Sequence, residues 1–392
     1  MFKRLDLAII NRSFWPVYPV IGEALMRFAE QQAKTQKVGV ILQNHADIRA
    51  QLLKHQRGEQ VSFYPAYAFS VSGSSILLRA MDAVFFMLWV FLVLLVKRPR
   101  KVYVSTDPPV LVPFIVMLYC AIFRAQYVYH LQDIHPEAAN VVIPVKPWLF
   151  RILRWLDSVT MRRANLLITI TQEMADQLRF RSGTRSSIAV LANPSVSFDH
   201  VKLPEHKTLG FTFCGNAGRL QRIPLLIQAI TQYCQQGGTL PFVFAGAGVY
   251  AADLEQLAQQ HSNVAYKGLV SASDAAQLNA DYAWALLPIE DEVTRYAFPS
   301  KSSSYVFSGA LIAAVCGNET SVAKWVTDNR LGVVVAPEVD ALCQFFFNVE
   351  RGQYDAEAFD YERGGLKQSL GFDVFLQKLT GLVIDMDGYK NG

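Results

Sequence analysis

The stretch LGFTFCGNAGRLQRIPLLIQAI, residues 209–230, decides the fold of this chain. It begins with an apolar run typical of a buried strand, passes through a glycine-rich turn, and continues with apolar residues at helical spacing. A strand that enters a helix through a tight glycine turn is the unit from which parallel α/β sheets are built. The pattern predicts a helix over residues 223–235 and an α/β domain around it.

The same alternation of strand-like and helix-like segments runs through the chain in two series. Seven strand-like runs precede the polar stretch at residues 195–208, and six follow it. Regular alternation is typical of a doubly wound parallel sheet, and a polar break in it is typical of a linker. We therefore expect two Rossmann-like sheets that face each other across a cleft, in domains 1–197 and 198–370, with a helical tail over 371–392. Such sheets bind ligands beyond the carboxyl ends of their strands.

Charge is divided unevenly along the 392-residue chain. Residues 1–197 contain 23 basic and 12 acidic side chains, a balance of +11, whereas the remainder contains 14 and 21, a balance of −7. Hydrophobic residues make up 52% of the sequence, and the mean hydropathy is +0.19. The cations of the first half stand beside Trp, Phe and Leu, so we expect this half to meet an anionic membrane surface and no nucleic acid.

Three segments of the first half are candidates for contact with lipid. Two charge-free runs, residues 83–96 and 109–123, are shorter than the roughly 20 residues that a spanning helix needs, so they are expected on crossover helices; a membrane hairpin is the alternative. KPWLFRILRWLDSVTMRR, residues 146–163, combines Trp with Arg, as interfacial helices do; an ordinary amphipathic helix is the alternative.

Five scattered cysteines indicate a reducing compartment. The expected location is therefore peripheral, at the cytoplasmic face of a bacterial inner membrane.

Glycine turns at the ends of strands form the first candidate site. The first strand is not followed by G-x-G-x-x-G, and the chain lacks G-x-x-x-x-G-K-[ST], so nicotinamide and P-loop chemistry lose their main support. Backbone amides at a helix start, with Arg219 or Arg222 beside them, can hold a diphosphate without a metal. A second turn, residues 244–248, follows the next strand. Lys301 begins a later helix, where its charge would balance a departing diphosphate.

These segments together resemble the donor domain of retaining glycosyltransferases of family 4, which have the GT-B fold. The segments that follow the family's order and spacing are FTFCGNAGRLQRIPLLIQAI (211–230), FVFAGAG (242–248), NVAYKGLV (263–270), YAWALLPI (282–289) and FPSKSSSYVFSGALIAAV (298–315). ANLLITITQEMADQL (164–178) and IAVLANP (188–194) are similar to the family's last strand pair before the linker. STDPP (105–109) with YHLQDIHPEA (129–138) resembles the subgroup that builds bacterial O-antigens and capsules, including L-fucosamine transferases. The resemblance covers about residues 5–340.

The resemblance implies a diphosphate loop, two cations that contact phosphate, and a second turn that approaches the nucleotide. The matching residues are, in that order, Gly215, Asn216 and Gly218; Arg219 and Lys301; and Gly246 with Gly248. The family usually has two glutamates eight residues apart, near the transferred sugar and on the ribose, but the matching residues here are Tyr296 and Ser304. Glu290, Asp291 or Glu292, from the preceding loop, would then substitute for them.

The acceptor side is expected at HLQDIHPE, residues 130–137, where Asp133, His135 and Glu137 stand at the end of a strand. Asp133 or His135 could orient the acceptor hydroxyl or take its proton. Alternatively, Asp133 caps the turn and His135 packs beneath it. Near the N-terminus, Gly22 and Glu23 follow FWPVYPVI, residues 14–21, a loop that the resemblance places beside the transferred sugar.

One leading function and two alternatives follow from these patterns. The leading function is transfer of an acetamido sugar, with retained configuration, from UDP to a polyprenyl-diphosphate-linked acceptor. No divalent metal is expected, because Asp385 and Asp387, which match a D-x-D pattern, stand near the chain end and away from any predicted sheet edge. The alternatives are a UDP-sugar epimerase of the same architecture and a non-catalytic scaffold of a polysaccharide assembly complex.

Overall fold

A computed structural model describes residues 4–18, 20–70, 76–354, 358–360 and 362–385. The chain forms two compact units. The first extends to Pro194 and includes the chain again from Phe372, and the second extends from Ser195 to Gly371. Each unit has its own parallel sheet, of seven strands in the first and six in the second, which confirms the expected fold class. Asp385 ends the described chain, and Asp387 lies outside the described residues.

The strands and helices alternate as the sequence predicts. The strands are β1 Leu7–Ile10, β2 Val38–Gln43, β3 Ser62–Ala66, β4 Lys101–Ser105, β5 Gln126–Leu131, β6 Leu166–Thr169, β7 Ile188–Val190, β8 Thr208–Cys214, β9 Phe242–Ala245, β10 Val264–Tyr266, β11 Tyr282–Pro288, β12 Leu311–Val315 and β13 Gly332–Val335. The helices are α1 Ile21–Ala33, α2 Ile48–His55, α3 Ile76–Lys97, α4 Leu111–Phe123, α5 Glu137–Val142, α6 Pro147–Arg163, α7 Gln172–Ser182, α8 Ile223–Gln235, α9 Ala251–Gln260, α10 Ala272–Asp281, α11 Lys301–Ser308, α12 Ser321–Asp328, α13 Val339–Glu350, α14 Gly364–Ser369 and α15 Phe372–Ile384. A short 3-10 helix spans Asp291–Arg295.

The first sheet has the strand order β3-β2-β1-β4-β5-β6-β7, with every pair parallel. The interior strand β1, with the sequence LAII, is buried along its whole length, as is typical of a parallel sheet with helices on both faces. Because β2 and β3 lie on one side of β1 and β4 to β7 on the other, the strand order reverses between β1 and β4.

The charge-free run at residues 83–96 lies within α3, the crossover helix from β3 to β4. The helix is 22 residues long because it begins before the run, at Ile76, and includes Arg79 and Asp82. By length and composition alone, Leu77–Lys97 could cross a membrane. In this fold α3 packs against α4, β2 and β3, and α4, α6 and α7 follow it side by side.

The second sheet has the order β10-β9-β8-β11-β12-β13, again with every pair parallel, and reverses between β8 and β11. Its core is aromatic: the rings of Phe211 and Phe242 on adjacent strands stack with centroids 4.9 Å apart. Both rings pack against Phe346 of α13, also with centroids 4.9 Å apart. The helix expected at residues 223–235 has those bounds as α8.

The last helix of the described residues, α15, belongs to the first unit. Helix α15 packs against α1. Phe375, Leu379 and Val383, spaced at one helical turn, are buried in the core of the first unit.

Candidate functional site

The reversal of strand order marks one candidate site in each unit, because open α/β sheets bind ligands beyond the carboxyl ends of the strands at that point. In the first unit the two strand ends are bridged by an ion pair in which Arg12 Nε lies 3.0 Å from Asp107 Oδ1. In the second unit Arg222 Nη2 lies 3.0 Å from Asp291 Oδ1 in the corresponding place. The two sites are therefore built in the same way, with an arginine after the first strand and a carboxylate after the fourth.

Two glycine turns form the rim of the second sheet beyond β8 and β9. Gly246 has a φ of +132° and approaches the other turn so closely that a Cβ on it would lie 1.9 Å from the carbonyl oxygen of Gly215. Gly248 has a φ of +154°, and its Cβ would lie 2.3 Å from the carbonyl oxygen of Ala217. No residue with a side chain fits at either position, so these glycines hold the two turns together.

Several amides of the first turn are already engaged within the rim. The N–H of Gly215 donates to the carbonyl of Ala245 at 2.9 Å, and the N–H of Gly218 donates to Gln221 Oε1 at 3.1 Å. A Cβ on Gly218 would lie 2.8 Å from the same Gln221 oxygen. In this structure Gly215 and Gly218 therefore shape the loop.

Lys301, the first residue of α11, supplies a positive charge beside this loop. Its stem is partly exposed, but Nζ is buried and has no hydrogen-bond partner among the residues that the structure describes. The ammonium lies 3.6 Å from the centroid of the Phe213 ring and 3.9 Å from the place a Cβ on Gly215 would take. Burial lowers the pKa of Lys301 to about 7, although the nearby Cys214 sulfur acts in the opposite direction. An unpaired cation thus lies against the glycine rim.

The other candidate cations of this rim differ from Lys301. Arg222 adopts a left-handed conformation just before α8 and donates from Nε to the carbonyl of Ile289 at 2.8 Å. Its Nη2 also lies 3.1 Å from Glu290 Oε2, so the carboxylates of the loop after β11 already balance its charge. Arg219 and Asn216 are exposed. Glu290 therefore lies at the rim, as a partner of Arg222.

The positions that match the family's two glutamates are uncharged. Tyr296 follows the 3-10 helix and is partly exposed, and Ser304 is buried in α11. Glu292 is exposed, whereas Asp291 accepts from the Gly317 N–H at 2.9 Å in addition to its pair with Arg222. Glu290 and Asp291 are thus the carboxylates that the structure brings to the end of β11.

In the first unit, the ion pair of Arg12 with Asp107 lies near Asp133, one of the predicted acceptor residues. Asp107 also accepts from the Ser13 N–H at 2.7 Å, which ties the loop after β1 to the loop after β4. Burial and the negative charge of Asp107 raise the pKa of Asp133 to about 6. Arg12 and Asp107 were missed by sequence reasoning. Their position directly after β1 and β4 is the signal that could have identified them.

His135 and Glu137 have different surroundings. Burial, with a contribution from Arg181, lowers the pKa of His135 to about 4, so its imidazole is neutral at pH 7. Glu137 is buried 3.1 Å from Arg181 Nε, and the same guanidinium lies 2.6 Å from Asp157. Tyr129 donates to Asp157 at 2.7 Å. Glu137 thus belongs to a buried ion-pair cluster beneath the loop.

Gly22 and Glu23, which follow the loop predicted beside the sugar, lie in the first turn of α1. A Cβ on Gly22 would lie 2.7 Å from the backbone nitrogen of Trp15, so glycine permits the loop before α1 to approach the helix. Glu23 is paired with Arg27 at 2.7 Å and with Arg57 at 3.3 Å. Across the described part of the chain, the His, Cys, Asp and Glu side chains form no group of three that could hold a metal ion.

No family model matches the chain. Over 303 residues it is 24% identical to the probable glycosyltransferase WbjE of Pseudomonas aeruginosa, an alignment that covers 71% of this chain and 75% of that protein. Among solved structures, HepE of Anabaena in complex with UDP is 15% identical, with a TM-score of 0.67 over 97% of this chain and 100% of its own.

Two further solved structures have the same architecture. The sucrose-phosphate synthase of Thermosynechococcus elongatus has a TM-score of 0.73 at 11% identity over 98% of this chain and 100% of its own. WaaG, a glycosyltransferase involved in lipopolysaccharide biosynthesis, has a TM-score of 0.62 at 12% identity over 98% of this chain and 100% of its own. The solved structures show that this chain has the GT-B fold. The sequence match shows that it is a homologue of a probable glycosyltransferase.

Proposed function

We propose that this protein is a glycosyltransferase that moves an acetamido sugar from a UDP-type donor to a polyprenyl-diphosphate-linked acceptor in bacterial surface polysaccharide synthesis. The similarity to WbjE supports the reaction class, and HepE, solved with UDP, supports the donor type. The role of WaaG in lipopolysaccharide biosynthesis supports a polysaccharide product. The basic, apolar first half supports peripheral binding at the cytoplasmic face of an anionic membrane, where a lipid-linked acceptor would be held.

One observation carries the donor side of this proposal: the ammonium of Lys301 is buried beside Gly215 and has no hydrogen-bond partner among the described residues. A buried cation without a partner is unfavourable, and an anionic ligand would relieve that cost. A nucleoside diphosphate gains negative charge as its bond to the sugar breaks. A cation already fixed at the rim stabilises that charge without having to reorganise during the reaction.

The proposed reaction keeps the configuration of the anomeric carbon. The acceptor oxygen forms a bond to that carbon on the face from which the diphosphate departs, and the diphosphate leaves with the electron pair of the broken carbon–oxygen bond. A departing phosphate oxygen takes the acceptor proton. Asp133, whose carboxyl group titrates near pH 6, or the neutral His135 would orient the acceptor hydroxyl.

Replacement of Lys301 tests the donor site directly. Lys301→Ala should lower the rate at which the protein hydrolyses or transfers from its nucleotide sugar by about a hundredfold or more, a loss of roughly 3 kcal/mol of transition-state stabilisation. Lys324→Ala is the matched control, because Lys324 is an exposed lysine of the same unit. A Lys301→Ala rate within about threefold of wild type would rule out this role.

Metal independence is part of the proposal, because side-chain cations would meet the diphosphate. Excess EDTA should leave the rate unchanged in the presence of donor and acceptor. Loss of activity with EDTA and its recovery with magnesium or manganese would show that a divalent ion takes part.

The products separate the proposal from its alternatives. A panel of nucleotide sugars is screened first for thermal stabilisation, since a ligand at a hundred times its dissociation constant stabilises by about 2.7 kcal/mol. The stabilising donor is then incubated with a lipid-linked acceptor. Sugar in the lipid fraction supports a transferase, an epimerised nucleotide sugar supports an epimerase, and binding without turnover supports a scaffold.

A further inference from the structure

Helix α3 carries a continuous apolar stripe on its outer side. Its members repeat every three or four residues and are 39% to 72% exposed: Leu77, Met81, Val84, Leu88, Leu92 and Val96. Residues at this spacing lie above one another on one face of a helix. Single exposed apolar side chains are common on proteins, but a contiguous apolar surface of this kind marks an interaction site.

The opposite side of α3 fixes the helix to the first unit. Phe86, Val90 and Leu94 are fully buried, and Trp89 donates from its indole N–H to the Tyr64 carbonyl at 3.2 Å. The carboxylate of Asp82 is buried as well and accepts hydrogen bonds from Ser70. A helix held in this way can lie along a bilayer, but it could cross one only by leaving the sheet.

The stripe continues onto the neighbouring helices of the same layer. Helix α4 packs against α3, and α6 packs against α4. Exposed apolar side chains stand on both of these helices: Leu118 and Ile122 on α4, and Trp148, Ile152 and Trp155 on α6. The outer surface of α3, α4 and α6 is therefore broad and largely apolar, with two tryptophans of the kind that anchor proteins at a lipid headgroup layer.

Every exposed charged side chain on these three helices is positive. Their only acidic residues, Asp82 and Asp157, are completely buried and accept hydrogen bonds from other side chains. The exposed charged side chains are all arginines: Arg79, Arg151, Arg154, Arg162 and Arg163. An apolar face with arginines and no exposed carboxylate complements an anionic lipid surface, whereas a soluble protein partner would have to be both apolar and acidic.

We propose that the outer surface of α3, α4 and α6 docks flat on an anionic lipid bilayer, with the α3 stripe inserted at the boundary of headgroups and acyl chains. The helix would lie in the plane of the membrane along its whole length, about 33 Å. Arg79, Arg151 and Arg163 contact lipid phosphates, whereas Arg154 lies 3.5 Å from Glu137 and Arg162 donates to the Ser182 carbonyl at 2.8 Å. The biological purpose of this surface rests on the proposed function, since a lipid-linked acceptor requires an enzyme at the membrane, but the binding itself is measured without donor or acceptor.

Vesicle flotation with the full chain tests the docking surface. Wild type should bind vesicles of phosphatidylethanolamine with phosphatidylglycerol, should bind vesicles of phosphatidylcholine weakly, and should lose part of its binding at high salt. Leu88→Glu with Leu92→Glu should lower binding to the anionic vesicles by about tenfold or more, because the stripe can then no longer enter the apolar region. Leu88→Ser with Leu92→Ser repeats the test without added charge.

The matched control is Leu53→Glu with Leu269→Glu, which adds the same charge at two exposed leucines outside the surface. This variant should bind like wild type. Equal loss in both glutamate variants, or retained binding in both stripe variants, would overturn the proposal. A wild-type dimer in sedimentation equilibrium that the stripe variants convert to a monomer would overturn it in favour of a second copy of the chain. UDP binding by each variant, measured by calorimetry, reports separately on the proposed donor site.

Discussion

The two cations that flank the glycine rim differ in how their charge is balanced. Arg222 lies beside Glu290 and Asp291, whose carboxylates balance its charge. The Nζ of Lys301 is buried and finds no hydrogen-bond partner in the described part of the chain, so burial disfavours the charged form, and the pKa falls to about 7. The residue that best fits a diphosphate is thus the one whose charge depends on pH near neutrality.

A pH dependence of donor binding follows from Lys301. Below about pH 7 the ammonium is present before binding; above it the free protein has lost the proton, and a bound diphosphate would have to restore it by raising the pKa. The affinity for UDP should therefore fall as pH rises above 7, by at most about tenfold per pH unit, with uptake of a proton. Calorimetry at pH 8 in buffers of different ionisation enthalpy measures that uptake. The thiol of Cys214 stays neutral there, because burial raises its pKa to about 12.

Lys301→Met supplies the comparison for this experiment. UDP itself titrates near pH 6, but that change is common to both proteins and cancels in the ratio of their affinities. The variant should bind more weakly, without uptake of a proton above pH 7. The same proton uptake in the variant and in wild type would assign the titration to another group.

At the scale of elements, local patterns in the sequence predict the strands and helices, and contacts between distant residues decide the sites. Helix α8 has the predicted bounds, and α6 covers all but the first residue of the segment 146–163, because each repeats apolar residues over three or more turns. Helix α5 was not predicted, since its six residues, EAANVV, are too few to show a period. The bridge from Arg12 to Asp107 spans 95 residues of sequence, so no local pattern pairs them. The glycine rim was predicted because its strained turns require glycine in the sequence itself.

The buried ion-pair cluster beneath the loop of Asp133 gives a prediction for α7. Arg181→Ala would leave Asp157 buried without its cation and Glu137 with only Arg154, 3.5 Å away, and should lower the free energy of unfolding of the first unit by about 3–5 kcal/mol. Urea unfolding measures this difference.

Arg179→Ala is the control on the same helix. Arg179 forms an exposed pair with Asp176, and its loss should change the unfolding free energy by less than about 1 kcal/mol. Comparable effects of the two variants would mean that Arg181 and its carboxylates are solvated, and that the cluster does not support the loop.

At the scale of the whole molecule, the chain returns to the first unit after it has formed the second. Helix α15 contributes Phe375 and Leu379 to the core of the first unit, although it follows the entire second unit in sequence. The polar stretch before β8 suggested where the first sheet ends, but no pattern in the tail tells which sheet it covers. The structure shows that the tail helix α15 packs on α1 of the first unit. An apolar helical face can pack on any complementary apolar face, so the sequence of the helix alone does not identify its partner.

This path predicts which unit loses stability when α15 is altered. Phe375→Ala with Leu379→Ala removes two buried side chains and should lower the stability of the first unit by at least about 3 kcal/mol. Hydrogen exchange should then lose protection in β1 to β3 and keep it in β8 and β9, because each sheet has its own core. Leu342→Ala with Phe346→Ala, at fully buried positions of α13, should give the reverse pattern. Equal loss of protection in both sheets after either change would mean that the two units unfold as one cooperative body. Helix α15 would then couple the stability of the two sheets, in addition to stabilising the first.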